Sequence, residues 1–338
     1  MSGSRQALRL LAAGAIGATA AGAARVAYAA AGRRPPGGPK VWARTNHRGE
    51  PVTLLEGPAV AAGAIAGVLA QGLLERGLLE RSLLGQGLLD RGLASRRPSG
   101  GRAIAALAVG GAGAAAFGAY DDLAGSGDRR GFRGHLGALR HGEVTTGAVK
   151  LGGIGVTGLV SAALAGGSPA DVIVNAGLVA GGANLLNLFD LRPGRAIKVA
   201  AVSGALLGAA GQQGVAAPLG AALALLPEDL GERAMLGDAG ANALGAMLGG
   251  AAAGLPRPAR IALLAGIAGL TAASEKVSFT KVIERTPALH WLDMLGRRPA
   301  SPRPAVMVPA QRDAVDLTGA GNPARSVEKN DPPPPPDQ

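Results

Sequence analysis

Cysteine is absent from the 338 residues, and aromatic residues nearly so: two tryptophans, two tyrosines and four phenylalanines. The first absence excludes a disulfide-stapled secreted scaffold, a cysteine nucleophile and thiolate ligation of a metal. The second leaves too little aromatic surface to dominate a water-soluble core of this size. Charge is scarce as well, at 17% of residues against the roughly 25% usual in soluble domains. What the chain has instead is 56 glycines, abundant alanine and 48% hydrophobic residues, gathered in long uncharged runs. Small residues suit helices in lipid, where close backbone approach holds neighbours together. Lys and Arg exceed Asp and Glu by 34 to 23. No basic stripe interleaved with aromatics accompanies that excess, so nucleic acid is not an expected partner. The excess reads as loop charge that orients a membrane protein.

The expected fold is all-α, a polytopic helical bundle of about nine transmembrane helices. A crossing takes about 20 mostly apolar residues, and candidate runs fall at 6–31, 57–75, 102–120, 145–166, 170–189, 196–211, 214–227, 239–254 and 258–274. Arg5 and Arg9 before an Ala/Gly run resemble a secretion signal. Arg25 inside the run and the lack of a sharp cleavage context favour a retained helix. Residues 1–298 are expected to form the membrane-embedded part. Within them, residues 72–94 hold a pentad repeat, GLLER-GLLER-SLLGQ-GLLDR-GL. Five residues rotate a helix by about 140°, so the leucine pairs form no single stripe. A duplicated insertion is favoured over an interfacial helix. Residues 299–338 are polar and rich in proline, ending in Pro332–Pro336. They read as a disordered tail, with a docking segment for a partner domain as the alternative.

Polar residues bordering membrane segments are functional candidates, because hydrocarbon penalises them. Five stretches stand out: 44–51 (RTNHRGEP), Tyr120-Asp121-Asp122 with the basic loop through Arg133 to Lys150, 184–190 (NLLNLFD), 236–242 (LGDAGAN) and 285–290 (RTPALH). With nine spans, all five emerge on one face. That face also carries most Lys and Arg of the short loops, which places it in the cytoplasm of a multi-pass plasma-membrane protein. Singly, each stretch has an ordinary counterpart as a solvated loop, a helix cap or interhelical glue. Together on one face they describe a site. Asp121, Asp122, Asp190 and Asp238 offer carboxylate oxygens and Asn187 an amide oxygen, a donor set suited to Mg²⁺ or Mn²⁺. Asn184, Asn187 and Asp190, spaced i, i+3, i+6, share a helical face. A basic rim beside such a set suits phosphoryl transfer better than ion transport.

At these residues the sequence resembles the polyprenyl-phosphate N-acetylhexosamine-1-phosphate transferases, in order from about Val41 to Gly296. The most specific likeness is Leu236-Gly-Asp238-Ala-Gly through Gly245, similar to the family's Met-Gly-Asp-x-Gly-Ser-x-x-Leu-Gly stretch. Asp121-Asp122 looks like its Asp-Asp pair, and 184–190 like its Asn-x-x-Asn-Leu-x-Asp motif. The resemblance implies a multi-span membrane enzyme that moves a sugar 1-phosphate from a UDP-sugar to a polyprenyl phosphate and releases UMP, in cell-envelope polysaccharide or peptidoglycan synthesis. It implies catalytic roles for Asp121, Asp122, Asp238 and His290, and Mg²⁺ held by Asp238 with Asp121 or Asn187. Substrate contacts would come from Asn184, Asn187, Asp190, Arg133, Lys150, Arg192 and Arg195. The membrane, the lipid phosphate, the UDP-sugar and a second copy of the chain are the associations expected. Three departures stand out. Pro193 replaces the family's second aspartate, Met235 replaces a phenylalanine, and a histidine cluster is reduced to His290. The first and third motivate the rival reading, a catalytically weak scaffold or regulator of envelope assembly.

Overall fold

Helices form where the sequence has apolar runs, and they end where glycine, proline or a polar cluster interrupts. The computed structural model describes residues 2–83, 100–125 and 145–299, with only the backbone path given at 2–5 and 78–83. Helix α1 (Ser2–Arg33) leads through a short turn, α2 (Pro39–Trp42), into a small antiparallel hairpin, β1 (Ala43–Thr45) and β2 (Pro51–Thr53). There follow α3 (Glu56–Leu83), α4 (Gly101–Ala124), α5 (Thr146–Ala165), α6 (Pro169–Phe189), α7 (Arg195–Ala209), α8 (Ala216–Leu230), α9 (Gly237–Ala251) and α10 (Arg257–Ser274). Two short helices, α11 (Phe279–Arg285) and α12 (Pro287–Met294), close the described chain. The ends are chemically marked. Ser168 and Asp171 form a capping box with Pro169 opening α6, and the Thr145 hydroxyl accepts from Ala148 N to start α5.

The nine apolar runs thus coincide with nine helices, α1 and α3 through α10. Five of these, α1 and α3 through α6, are long and apolar enough to cross a membrane, or six if the bent pair α10–α11 counts as one. Helices α7, α8 and α9 have 15 residues each, about 22 Å at the α-helical rise, short of a full hydrocarbon crossing. The repeat differs from expectation at its start. Residues 72–83 continue α3 without a break, because leucine, glutamate and arginine are all good helix formers. The rest of the repeat, 84–94, lies outside the described residues, as does the basic loop at 126–144.

The core is organised around α9, whose residues are nearly all buried. It packs against α3, α4, α6 and α7. With a sequence of glycine, alanine, leucine and methionine, it lets neighbouring backbones come unusually close. A Cβ placed on Gly245 would lie 2.7 Å from the Gly182 carbonyl carbon and 2.9 Å from Ala183 Cα, with the Gly182 carbonyl oxygen nearer still. Large apolar residues face outward instead: Leu11, Val156, Ile173, Leu206 and Leu223 among them are exposed. An outward apolar coat over a small-residue interior is the arrangement expected of a bundle in lipid. Residues 1–298 make one unit and 299–338 another; of the second, only Pro299 is described.

Candidate functional site

Alternating helix direction brings the C-terminal ends of α4, α6 and α8 beside the N-terminal ends of α3, α5, α7 and α9. The centre of this end is a carboxylate–lysine cluster. Lys150, in the first turns of α5, places its Nζ 2.8 Å from Asp121 Oδ2 and 2.6 Å from Asp238 Oδ2. The two carboxyl groups also lie within hydrogen-bonding reach of each other. Three side chains distant in sequence, on α4, α5 and α9, thus meet on one cation. All three are less than a third exposed.

The neighbouring carboxylates organise the start of α9. Asp122 Oδ1 accepts from Asp238 N at 3.0 Å, and Oδ2 accepts from Ala239 N at 2.9 Å. Asp190, at the C-terminal cap of α6, accepts from Gly237 N–H. Two carboxylates therefore satisfy backbone donors that a helix N-terminus leaves open, and both complement its positive end. The close approach depends on Gly118. A Cβ there would stand 2.6 Å from the carbonyl carbon of Asp238 and 2.8 Å from Ala239 Cα. Burial, with the Asp229, Asp238 and Asp122 carboxylates nearby, pushes the Asp190 pKa well above the usual carboxylate range.

A second network ties the β-hairpin to the end of the described chain. Asn46 Nδ2 donates to Glu232 Oε2 at 2.8 Å and to Glu50 Oε2 at 3.2 Å, while Arg298 Nη1 donates to Glu50 Oε2 at 2.7 Å. The hydrogen bonds from Arg298 and Asn46 hold the Glu50 pKa below its ordinary value. Arg44 Nη2 donates to the Asp122 main-chain oxygen, joining this network to the cluster. Between the networks, Asn46, His47, Asp190, Arg192, Asp229 and Glu232 line a cavity of about 40 Å³, room for water rather than a nucleotide. Burial lowers the His47 pKa, reinforced by Arg192, Arg297 and Arg48 and opposed by Glu232.

The expected site residues divide accordingly. Asp121, Asp122, Asp190, Asp238 and Lys150 come together. Asn187 lies half-buried in the last turn of α6 beside Asp190. Asn184 donates to Thr271 Oγ1 at 3.4 Å, a weak interhelical tie to α10. Arg192 lines the small cavity and donates to the Leu191 carbonyl. His290 is exposed on α12, with no contact to the carboxylates among the described residues. Arg133 lies outside the described residues.

Arg195 differs most from expectation. It is buried, with Nε 2.7 Å from Asp293 Oδ1, Nη2 3.1 Å from Oδ2 and Nη1 2.9 Å from Thr280 Oγ1. The guanidinium is committed to holding α11 and α12 against α7 and is not presented to a phosphate. Burial pushes the Asp293 pKa up, but Arg195, Arg297 and Lys198 outweigh it and hold the carboxyl below its ordinary range. Arg195→Met is expected to leave Asp293 short of its main partner and to release this segment, at a cost of about 3 kcal/mol. Limited proteolysis between residues 275 and 298 checks it, and Arg195→Lys should recover only part of the protection because it lacks the bidentate fork.

Glu56, Asp229 and Glu232, outside the five polar stretches, are also buried at this end. Glu56 opens α3, and neither of its carboxylate oxygens has a hydrogen-bond partner among the described residues. Asp229 accepts from Gly194 N–H. The signal was available: these acids lie at 56 and 227–232, on the same face by the alternation that selected the other stretches.

No group of three or more Asp, Glu, His or Cys side chains arranged to hold a metal occurs among the described residues. Mg²⁺, however, commonly takes one or two carboxylates and completes its shell with water and phosphate. Asp121 and Asp238, convergent on one cation, fit that requirement in ligand type and number. Comparison with protein-family models, curated proteins and solved structures finds no match to this chain.

Proposed function

We propose that this chain is a polytopic membrane enzyme that transfers a sugar 1-phosphate from a UDP-sugar to a polyprenyl phosphate, with Mg²⁺, releasing UMP. The observation that carries this reading is the convergence of Asp121, Lys150 and Asp238 on one end of an apolar bundle, with Asp122 and Asp190 fixing the helix that bears Asp238. Three separate motifs, each resembling one of the same family, supply the four carboxylates. A largely apolar groove of about 340 Å³ between α6, α7, α9 and α10, lined by residues such as Leu185, Leu206, Leu248 and Ile267, is of a chemistry that would take a prenyl chain. Nine membrane crossings fit this reading, with the short α9 buried among its neighbours and α7 and α8 packed beside it.

In this scheme Asp238 and Asp121 would hold the metal, which supplies charge neutralisation for the diphosphate and the departing nucleotide. Lys150 Nζ, 2.8 Å from Asp121 and 2.6 Å from Asp238, is the donor nearest to those carboxylates, so a phosphate oxygen arriving there meets a fixed ammonium. Asp122 and Asp190 act on position, holding the first turn of α9. The acceptor phosphate monoester is largely dianionic at neutral pH, so no strong general base is required. Arg195 plays no part in binding and anchors α12.

The test is UMP release by the full chain in detergent, with undecaprenyl or decaprenyl phosphate, Mg²⁺ and a panel of UDP-sugars. Release that is lost on chelation, and that falls at least about 1,000-fold in Asp238→Ala, is the expected outcome. Folded protein that releases no UMP with any donor would refute the transferase. The scaffold reading would then stand, and one observation favours it: Lys150 already occupies the space between the two carboxylates a metal would share.

A further inference from the structure

Helix α12 is built inside out for a helix at an aqueous surface. Its one buried residue is Asp293, paired with Arg195 and with Arg297 Nη1 at 2.9 Å. Leu289, Trp291, Leu292, Met294 and the following Leu295 are all exposed, Trp291 to 65%. A helix packed against a soluble protein buries its apolar side and exposes its charge. Here the charge is turned inward and the apolar side chains outward, so the medium they meet is apolar.

Two further observations identify that medium. The chain bends by 95° between α10 and α11, so the segment turns from the direction of a candidate span to one across it. The exposed apolar residues of α10, such as Ile261 and Leu270, continue through Val277 and Val282 to those of α12. The outward coat of the bundle thus runs on past the last long helix. The exposed Lys276, Lys281 and Arg285, set against Glu275 and Glu284, have stems long enough to reach headgroups. Tryptophan favours the boundary between hydrocarbon and water.

We propose that α11 and α12 form a membrane-surface foot, lying in the interfacial layer of the bilayer on the carboxylate side. The bilayer covers Leu289, Trp291, Leu292 and Leu295, and the buried Arg195–Asp293 pair locks the foot to α7. The foot fixes how deeply the carboxylate end sits relative to the headgroups. This inference rests on the bundle crossing a membrane and not on the transferase chemistry.

The two tryptophans make a direct test. Trp42 is 7% exposed and donates to the Pro36 carbonyl, so Trp291 is the natural reporter. The full chain would be placed in phosphatidylcholine nanodiscs whose lipids carry bromine near the headgroup end or at the middle of the acyl chain. The Trp291 signal is read in Trp42→Phe and, independently, as wild type minus Trp291→Phe, so a folding defect in the first variant does not void the test. Blue-shifted emission quenched at least twofold more by the shallow than by the deep bromolipids is the expected result. Ile173→Trp in the Trp42→Phe/Trp291→Phe background reports whether the bundle itself is embedded. Quenching at 173 with none at 291 overturns the foot alone, whether Trp291 emits as in water or is shielded by a second copy of the chain. Quenching at neither position overturns the membrane reading beneath it.

Discussion

Lys150→Met is expected to abolish the proposed transferase activity and to destabilise the protein in the same step. The ammonium lies 2.8 Å from Asp121 and 2.6 Å from Asp238, and no other cation pairs with these two carboxylates among the described residues. Its removal leaves two carboxylates facing each other in a site less than a third exposed. Breaking a buried pair by removing one partner costs about 3–5 kcal/mol; partial exposure puts the expectation near the lower end. Thermal unfolding in detergent reads this as a drop of several degrees in Tm. Adding Asp121→Asn to Lys150→Met should recover about half the loss, because it removes the repulsion the first change exposed. UMP release, if the proposed activity is present, should fall at least about 1,000-fold in Lys150→Met and should not return in the double variant, which lacks both the phosphate donor and one of the two proposed metal ligands. Recovery of activity together with stability would show that Lys150 only neutralises its neighbours and that Asp121 is no metal ligand.

The second large effect concerns packing. Gly245→Ala adds one methyl group, yet at that position the methyl would stand 2.7 Å from a backbone carbon and 2.9 Å from Ala183 Cα. Backbone cannot rotate away as a side chain can, so α6 and α9 must separate along their shared face. Overpacking typically costs about 1–3 kcal/mol, and displacement of α9 also moves Asp238 away from Lys150. Loss of both folded yield and activity is expected. Gly269→Ala on α10 is the matched control. Nothing lies within 4 Å of the position its Cβ would take, so the better helix propensity of alanine should stabilise by up to about 1 kcal/mol. Equal behaviour of the two variants in detergent unfolding would remove close packing as the reason for the glycine content.

Much of the fold is legible in the sequence. Helix hydrogen bonds close within four residues, so an apolar run of sufficient length and its flanking glycines and prolines carry nearly all the information needed to place a helix. That is why nine runs and nine helices agree within a few residues at most ends. The pentad repeat was harder, because residues 72–83 differ from the span before them in polarity while sharing its helix propensity. Length decided another point: α7, α8 and α9 are each 15 residues, and burial inside the bundle accounts for α9 alone, since α7 and α8 expose Leu206 and Leu223.

The site was legible in part. Alternation of helix direction assigned the five polar stretches to one face, and Asp121, Asp122, Asp190, Asp238 and Lys150 do meet there. Their meeting was not a property of any one segment. Lys150 and Asp238 stand 88 positions apart, and a contact of that kind depends on how α5 packs against α4 and α9. The same reason explains Arg195. Its sequence neighbours place it at the rim, but its partner is 98 positions away, and that partner turns a candidate phosphate contact into a buried tether. Composition and apolar periodicity determined that this chain is a bundle of helices with its polar chemistry at one end. Tertiary packing alone decided which carboxylates share a cation, which arginine is consumed in holding the fold, and that α12 turns its charge inward. The first are local consequences of residue type; the second depend on which side chains the glycine-lined contacts between helices bring within reach.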